Sequence, residues 1–449
     1  MKILWISRSG DGADIAYRMK LAGNEVKFWI EESAAYGDTY EGLIDKIMAW
    51  KPWVSWSDLI VFDQNSAGLV QIWKAVKDVR PTFGGSEFGY KLEKDRAFGR
   101  KIMNDIGFPE LESIQFKTIA DVTAHLKKHK VRHVIKPSGK KIESHHVIIG
   151  EMEDGEDAIA ILESFGEQNI PFDYIEVEER KIGIEIGCGA FFAGEGGFVS
   201  PDINFEHKHS ATGALGFLTG ETGTVLKAID EGNKFFKKTL SKIGPILQKE
   251  SYIGQIDINC ILDEKNGEIA TLEWTPRLGY PAIFIQDEAQ ELPWADLFMM
   301  LARGMSFDNL VSPEWCIGAV YMTPGFPTPD EVAQRSFESP IFGASDPEHI
   351  HLVEVKYKKS RLVTAKGIGY PFVGTAKGST IQKAQRVLYS MLDKENESRP
   401  WVPSGWYRTD IGDRVIEQLP DLKRLGILTE DELSPSPEET PAAATPARP

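Results

Sequence analysis

The sequence predicts a mixed α/β and α+β protein that begins with a small parallel sheet, and three observations support this. Short apolar runs at 2–6, 26–30 and 59–62 alternate with helical patterns at 15–21 and 69–76, the order of an open parallel sheet covered by helices. Two runs of alternating apolar and polar residues, 255–263 and 268–275, flank Lys265-Asn266-Gly267 and predict a β-hairpin. The length of 449 residues suggests about three domains.

Composition and charge restrict the class of protein. With 42% hydrophobic and 26% charged residues the chain has ordinary globular composition. The net charge of −16 argues against a nucleic-acid partner, because such proteins usually present a basic surface. The three cysteines stand in no metal-ligand spacing, which favours a reducing compartment. No long uncharged apolar segment and no signal-peptide pattern occurs. We therefore expect a cytoplasmic protein without a membrane partner; whether it is a monomer or a dimer stays open.

The pattern along the chain predicts three domains and a tail. Residues 1–91 form the N-terminal α/β domain, 92–310 the central domain, and 311–424 a smaller α+β domain. Inside the central domain, 108–177 reads as a separate α/β lid. One helix is predicted over 94–105 and a long amphipathic helix over 224–248. The Pro/Ala-rich segment 434–449 cannot bury enough apolar surface to fold and is predicted to be disordered.

The hairpin carries a candidate metal site. Asp257 lies in its first strand; Glu273 and Thr275 lie two apart in its second, so their side chains share one face. Oxygen ligands grouped in this way suit Mg²⁺, which usually also contacts phosphates. Arg277 follows where the chain leaves the strand and is placed to hold an anion bidentately. The alternatives are a hairpin whose polar residues only face water and an Asp257 that is a buried acid paired with a base.

Further candidates precede the hairpin. Lys94 opens the predicted helix, and Lys136 ends a strand directly before a Pro-Ser-Gly loop, where an ammonium can reach nucleotide phosphates. Glu178 and Glu185 bracket a short connection whose main chain could pair with an adenine edge. The order of two lysines, two connection acids and then metal acids resembles the ATP-grasp superfamily, in which two α/β units clamp ATP.

Three segments narrow the resemblance to one family over residues 1–424. KLEKDRAFGRKIMNDIGFPE, FEHKHSATG and WYRTDIGDRVI are similar to segments of the phosphoribosylamine–glycine ligase family. The last one is close to that family's C-terminal Y-R-x-D-I-G-x-R signature. The resemblance implies an ATP-grasp architecture: an N-terminal parallel-sheet domain, a central ATP-binding domain with a lid, and a small C-terminal α+β domain.

The resemblance also implies the chemistry. An amino acid, glycine, is activated by ATP with Mg²⁺ or Mn²⁺ as an acylphosphate, and a phosphorylated amine, phosphoribosylamine, attacks it. The implied roles are catalysis by Arg277 and Lys136; nucleotide binding by Lys94, Lys136, Glu178, Lys181 and Glu185; metal binding by Asp257, Glu273 and Thr275; and substrate contact by His207, Lys208 and Arg277. A solvated loop is the alternative for His207 and Lys208.

The chain departs from the family pattern at five places, one of which is 62–69, where the family has G-P-E-x-P-L. The first loop, SRSGDGADIAY, lacks G-x-G-G-R-E-H, and the lid segment 139–146 is poor in glycine. Thr275 stands where the family has Asn, and Tyr280-Pro281-Ala282 replaces Asp-Pro-Glu. Two further hypotheses follow: the same chemistry with a different amino acid or amine acceptor, and a non-catalytic nucleotide-binding protein on this scaffold.

Overall fold

The computed structural model describes residues 1–109, 113–139, 146–307, 311–327, 336–344 and 348–433. The predicted tail at 434–449 and residues 140–145 of the glycine-poor segment lie outside these ranges.

The N-terminal part is a five-stranded sheet in the order β3-β2-β1-β4-β5, with every pair parallel. Buried apolar runs form its central strands because helices cover both faces. The strands predicted at 2–6, 26–30 and 59–62 are confirmed as β1, β2 and β4. The elements are β1 (Lys2–Ser7), α1 (Ala13–Leu21), β2 (Glu25–Ile30), α2 (Ser33–Tyr36), β3 (Asp45–Lys46), β4 (Leu59–Phe62), α3 (Ala67–Val76) and β5 (Thr82–Phe83).

Two short helices follow where one was predicted over 94–105. The first, α4 (Glu87–Lys94), ends at Lys94, and the second is α5 (Arg96–Asp105). Asp95 between them has extended backbone angles, and its side chain accepts a hydrogen bond from the Phe98 amide. An Asp in this N-cap position starts a new helix. Lys94 therefore closes a helix, and the prediction that it opens one is wrong.

The lid is a four-stranded antiparallel sheet in the order β6-β9-β7-β8, with two helices. It has its own small hydrophobic core, which includes Val122, Leu162 and Val177 and is separate from the main core. Its elements are β6 (Ser113–Phe116), α6 (Ile119–Lys128), β7 (His133–Ser138), β8 (Ile148–Ile149), α7 (Glu156–Glu167) and β9 (Tyr174–Glu179).

The remainder is built on an eight-stranded sheet in the order β16-β15-β10-β11-β14-β17-β21-β18. β14 pairs with β17, so strands from both sides of the predicted boundary at 310/311 share one sheet. The strands are β10 (Ile184–Ala193), β11 (Phe198–Glu206), β12 (His209–Ala211), β13 (Leu215–Leu218), β14 (Gly223–Ala228), β15 (Ile253–Leu262), β16 (Ile269–Thr275), β17 (Trp315–Tyr321), β18 (Ile350–Leu352), β19 (Val355–Lys358), β20 (Arg361–Thr364) and β21 (Phe372–Gly378). The helices are α8 (Lys234–Lys238), α9 (Gly244–Lys249), α10 (Ala282–Ala289), α11 (Trp294–Ala302), α12 (Ile381–Leu392), α13 (Asp413–Arg424) and α14 (Glu430–Leu433).

Two predictions about this region have opposite outcomes. The hairpin predicted at 255–275 is confirmed, because β15 and β16 pair antiparallel across the Asp263–Glu268 turn. The long helix predicted over 224–248 is wrong. Its first residues form β14 in the centre of the sheet, and Asn233 then caps the short helix α8. Among the helices that the structure describes, none combines the length and apolar character that a membrane span requires.

Candidate active site

One face of the large sheet carries a group of oxygen-bearing side chains. The strand register places Asp257 opposite Thr275 and Asn259 opposite Glu273. Because side chains alternate along a strand, these four lie on the same face. On the neighbouring strand β10 the positions facing them are Gly187 and Gly189. A Cβ on Gly187 would lie 2.2 Å from Asn204 Oδ1 and 2.8 Å from Asn259 Oδ1, so the missing side chains leave room for this polar layer.

Lys208 stands in the middle of the acids on this face. Its Nζ lies 3.1 Å from Glu185, 3.1 Å from Glu206 and 3.6 Å from Glu273. Burial opposes its charge, but the carboxylates of Glu206, Glu185 and Glu273 outweigh burial and hold the pKa of Lys208 well above its ordinary value. The fold therefore brings together Lys208, Glu185 and Glu273, which the sequence analysis named as candidates.

Asp257 lies on the same face and is partly exposed. Its Oδ2 accepts a hydrogen bond of 2.7 Å from Asn204, and its buried Oδ1 has no hydrogen-bond partner. Burial and the charges of Asp202 and Glu206 raise the pKa of Asp257 well above its ordinary value. Asn259, which opposes Glu273 and donates to Glu206 at 3.2 Å, is 3% exposed. Within the described ranges, no three His, Cys, Asp or Glu side chains form a ready-made metal cluster.

The lid forms one wall of a cleft beside β16, the edge strand of the large sheet. Lys136 on β7 donates to Glu178 on β9 at 2.6 Å. Arg100 on α5 donates to the same Glu178 and, at 2.8 Å, to Glu176. The cleft between α5, the lid and β16 is lined by Arg100, Met103, Asn104, Pro109, Lys136, Glu178, Thr271 and Leu272. Lys136 from the lid and Arg100 from α5 thus line one cleft with Thr271 and Leu272 of β16.

Of the predicted site residues, Lys136 and Glu178 line this cleft and the others do not; two of the others are exposed lysines. Lys94 is half exposed and pairs with its neighbour Glu93 at 2.8 Å. Lys181 is also half exposed and lies 3.5 Å from Glu179. Arg100, which the sequence reading did not single out, is the second cation that lines the cleft beside Lys136. It stands in the same segment that carried the resemblance, six residues after Lys94, and restricting the search to lysine missed it.

His207 supports the site from behind. It is 5% exposed; its Nε2 accepts from the Gly412 amide at 3.2 Å, and its Nδ1 lies 3.1 Å from the Phe205 carbonyl. Burial, followed by the charges of Arg414 and Arg408, lowers the pKa of His207 to about 3, so the ring is neutral at pH 7. This geometry describes a structural tie between β11 and the C-terminal segment.

The C-terminal signature segment braces the same strand end. Arg408 pairs bidentately with Asp410, at 2.8 Å for each bond, and donates to the His209 carbonyl at 2.9 Å. Arg414 donates to the Glu206 carbonyl at 2.9 Å. These contacts hold the backbone on both sides of Lys208.

Arg277 lies where β16 meets the N-terminal sheet. It pairs with Glu93 at 3.3 Å and donates to the Leu278 carbonyl at 2.9 Å. Burial opposes the charge of the guanidinium, but Glu93, Tyr280 and Asp11 raise the pKa of Arg277 above its ordinary value. Arg277 is therefore a fixed cation between the sheet face and the first loop.

Comparison with known proteins agrees with this architecture. No family profile matches the chain. Phosphoribosylamine–glycine ligase of Salmonella typhimurium is 24% identical over 350 residues, 75% of this chain and 78% of the relative. The crystal structure of phosphoribosylamine–glycine ligase of Thermotoga maritima matches with a TM-score of 0.67 at 18% identity, covering 92% of this chain and 100% of that one. The biotin carboxylase domain of Hydrogenobacter thermophilus 2-oxoglutarate carboxylase, solved with MgADP, ADP and bicarbonate, matches with a TM-score of 0.59 at 11% identity, covering 90% of this chain and 91% of that one.

The chain therefore has the ATP-grasp fold of these structures. Within that fold class its sequence and structure are similar to those of phosphoribosylamine–glycine ligase.

Proposed function

We propose that this protein is an ATP-dependent carboxylate–amine ligase similar to phosphoribosylamine–glycine ligase. The observation that carries the proposal is a cleft in which Lys136 and Arg100 face Thr271 and Leu272 of β16, the strand that also carries the exposed Glu273. Phosphoryl transfer depends on positioning and on neutralising charge rather than on covalent catalysis. This arrangement supplies both.

The donor set fits a nucleotide with its divalent cation. Mg²⁺ is usually held by one or two carboxylates together with substrate phosphates, so a complete protein cage is not needed. Glu273 is 61% exposed and can reach a bound nucleotide. Glu206 and Asn259 lie beside it, and the unpartnered Asp257 Oδ1 is a further oxygen of the same face. Thr275 is the predicted short ligand; Mn²⁺ would be held by the same oxygens.

The residues of the chain have distinct tasks in this reaction. When bound, MgATP supplies the phosphoryl group that activates the substrate carboxylate as an acylphosphate. Lys136 and Arg100 stabilise phosphate charge from the lid side, and Glu178 keeps both cations directed into the cleft. Glu185 is placed for the ribose hydroxyls. Arg277 steadies the carboxylate, and closure of the lid excludes water from the activated group.

The relatives point to glycine and phosphoribosylamine as the first substrates to test. The experiment is ADP formation by the purified protein with MgATP, glycine and freshly generated phosphoribosylamine, omitting each component in turn. Turnover that needs all three would establish this substrate pair. MgATP binding without turnover for any acid and amine would instead identify a non-catalytic nucleotide-binding protein.

Lys136→Met tests the assignment of the cleft. Because the substitution removes the charge while keeping most of the side-chain volume, we expect ATP turnover to fall about 100-fold or more. Lys423→Met is the matched control, since Lys423 pairs with Glu430 on the surface of α13 and does not line the cleft. Equal activity of the two variants would contradict the assignment.

A second substrate pair is favoured by one observation. The first loop and the turn after β16, which depart from the family pattern, surround an acidic pocket beside Arg277. The same chemistry with a different amine acceptor is therefore the second candidate function.

A further inference from the structure

A second polar pocket lies where the carboxyl edge of the N-terminal sheet meets the end of β16. Asp11 follows β1, Asp63 follows β4, and Tyr280 follows β16. A Cβ on Gly12 would lie 2.5 Å from Asp63 Oδ2 and 2.8 Å from the Tyr280 hydroxyl, so both groups close around this glycine. Tyr280 interacts electrostatically with Tyr370 of the C-terminal part. The phenol of Tyr370 in turn interacts electrostatically with Glu221 and Asp11.

Several polar atoms in this pocket are buried without hydrogen-bond partners. They are Asp63 Oδ1, Glu221 Oε1 and the hydroxyls of Tyr280 and Tyr370. Asp63 is 0% exposed and Glu221 is 9% exposed. Buried polar groups in folded proteins are nearly always paired, and an unpaired one calls for an explanation such as a missing ligand. Tyr280 lies within electrostatic range of Asp63 and Tyr370, and Tyr370 of Glu221, so these four atoms belong to one region and indicate a site for a ligand that donates hydrogen bonds.

The charges of the pocket specify the sign of that ligand. Each nearby base already has an acid: Arg8 pairs with Glu32 and Arg277 with Glu93. Lys208 is likewise held among Glu185, Glu206 and Glu273. Within the described part of the chain, Asp11, Asp63 and Glu221 form no ion pair. Burial, and for Asp63 also the charge of Asp11, raises the pKa of Asp63 to about 7, and burial with Glu206 raises that of Glu221 well above its ordinary value. A bound cation would offset the unfavourable burial of these negative charges.

We propose that this pocket is the amine-acceptor site and that it takes a cationic amine without a phosphate group, such as a diamine or a basic amino acid. The inference rests on the proposed ligase function and specifies its second substrate. Asp11 supports the exclusion of phosphate: it precedes α1, whose N-terminus would otherwise attract an anion. Arg277 connects this pocket with the candidate metal site. It follows β16, which carries Glu273 and Thr275, and its charge opposes the raised pKa values of Asp11 and Glu221.

The pocket also suits the reaction step. The ammonium gives one proton to a pocket carboxylate and becomes a nucleophilic amine. Its lone pair forms the C–N bond to the acylphosphate carbon, the C–O bond to the phosphoryl group breaks, and phosphate leaves with that electron pair. The second proton leaves the new amide nitrogen and passes to the phosphate, so the products are amide, hydrogen phosphate and one proton released through the carboxylate. Asp63, with its raised pKa, is suited to accept a proton near neutral pH.

Calorimetry on the full chain tests the pocket independently of turnover. The protein is saturated with MgADP and titrated separately with 1,4-diaminobutane, lysine, phosphoethanolamine and ribose 5-phosphate. We expect at least one of the two cationic amines to bind and both phosphorylated compounds to bind at least tenfold more weakly. Asp63→Asn and Glu221→Gln should each weaken the cation about tenfold, because each removes one negative charge with little change in shape. Glu264→Gln, an exposed acid in the hairpin turn, is the control and should have no effect.

Failure of the cation pocket and failure of the ligase function give different results. Failure of both cationic amines to bind, tighter binding of a phosphorylated compound, or unchanged binding in both pocket variants would overturn the cation pocket. ADP release is then measured with the cationic amine and a panel of amino acids. Cation binding that depends on Asp63 and Glu221, but without any ADP release, would leave the pocket standing and refute the ligase function on which it was built.

Discussion

At the scale of single residues, Asp202 is the clearest case of a carboxyl group whose protonation is tied to folding. It is 4% exposed, and Gln286 donates to its Oδ2 at 2.8 Å. Burial raises the pKa of Asp202 to about 6, against an ordinary value near 3.8. The folded state therefore binds more protons than the unfolded state between these two values, and this group contributes stability that is lost as pH rises from 4 to 6.

Asp202→Asn should remove that contribution, since the amide oxygen can still accept from Gln286. We expect the free energy of unfolding of the unmodified protein to fall, relative to the variant, by about 2 kcal/mol between pH 4 and pH 6.5. Urea unfolding of both proteins at the two pH values measures this difference. Identical pH dependence in the two proteins would contradict the assignment.

The sequence predicts some site residues and misses others for reasons that are local. Glu273 and Lys136 could be predicted from the sequence, because the alternation of side chains along a strand and the position of the following loop are enough to single them out. Asn259 stands two residues after Asp257 and therefore faces the same way. It was missed because only acids were considered as ligands on this strand. Glu206 and the unpartnered Glu221 could not be found, because only the pairing of β11 with β10 and β14 brings these positions near the hairpin.

At the scale of elements, the segment after β21 that carries the Arg408–Asp410 pair acts as a brace for β11. Arg408→Lys keeps the charge but loses the bidentate geometry with Asp410. Because Arg408 is 3% exposed, we expect a loss of about 1–3 kcal/mol in unfolding free energy. We also expect weaker nucleotide binding, because Glu206 and Lys208 lose their support. Chemical unfolding and MgADP calorimetry measure the two effects.

Arg424→Lys is the control for this prediction. Arg424 pairs with Asp421 on the exposed surface of α13, where an ion pair contributes at most about 1 kcal/mol. If both variants lose the same small amount of stability and bind MgADP normally, the segment is not a brace.

Elements were predictable where the local pattern has one reading. The hairpin follows from two alternating runs around an Asn-Gly turn. The helix prediction for residues 224–248 failed because the short apolar run at their start fits both the helical and the strand periodicity. Its burial as β14 between β11 and β17 depends on pairing with those strands, which no local pattern shows.

At the scale of the whole molecule, the lid and the body form the two sides of the proposed nucleotide cleft. Binding of a non-hydrolysable MgATP analogue should order the cleft walls. We expect slower amide exchange in β7, β9 and β16 and little change in β2 and β3, which do not border the cleft. Hydrogen exchange read by mass spectrometry measures this. Protection confined to the N-terminal sheet would place the nucleotide elsewhere.

The overall architecture was predictable for the part built from neighbouring segments. The N-terminal sheet follows from consecutive strand–helix units. The joining of β17, β21 and β18 to the large sheet could not be predicted, because their partners lie up to about a hundred residues away in sequence and no local signal encodes that pairing.

The lid's separate core has a consequence for genetics. A substitution such as Leu162→Ala would loosen a small cluster that shares no buried apolar residues with the main core. Such an allele would leave most of the molecule intact at growth temperature yet inactivate it on warming, and a high nucleotide concentration would suppress the defect. Conditional, ligand-suppressible alleles of this gene should therefore map mainly to the lid.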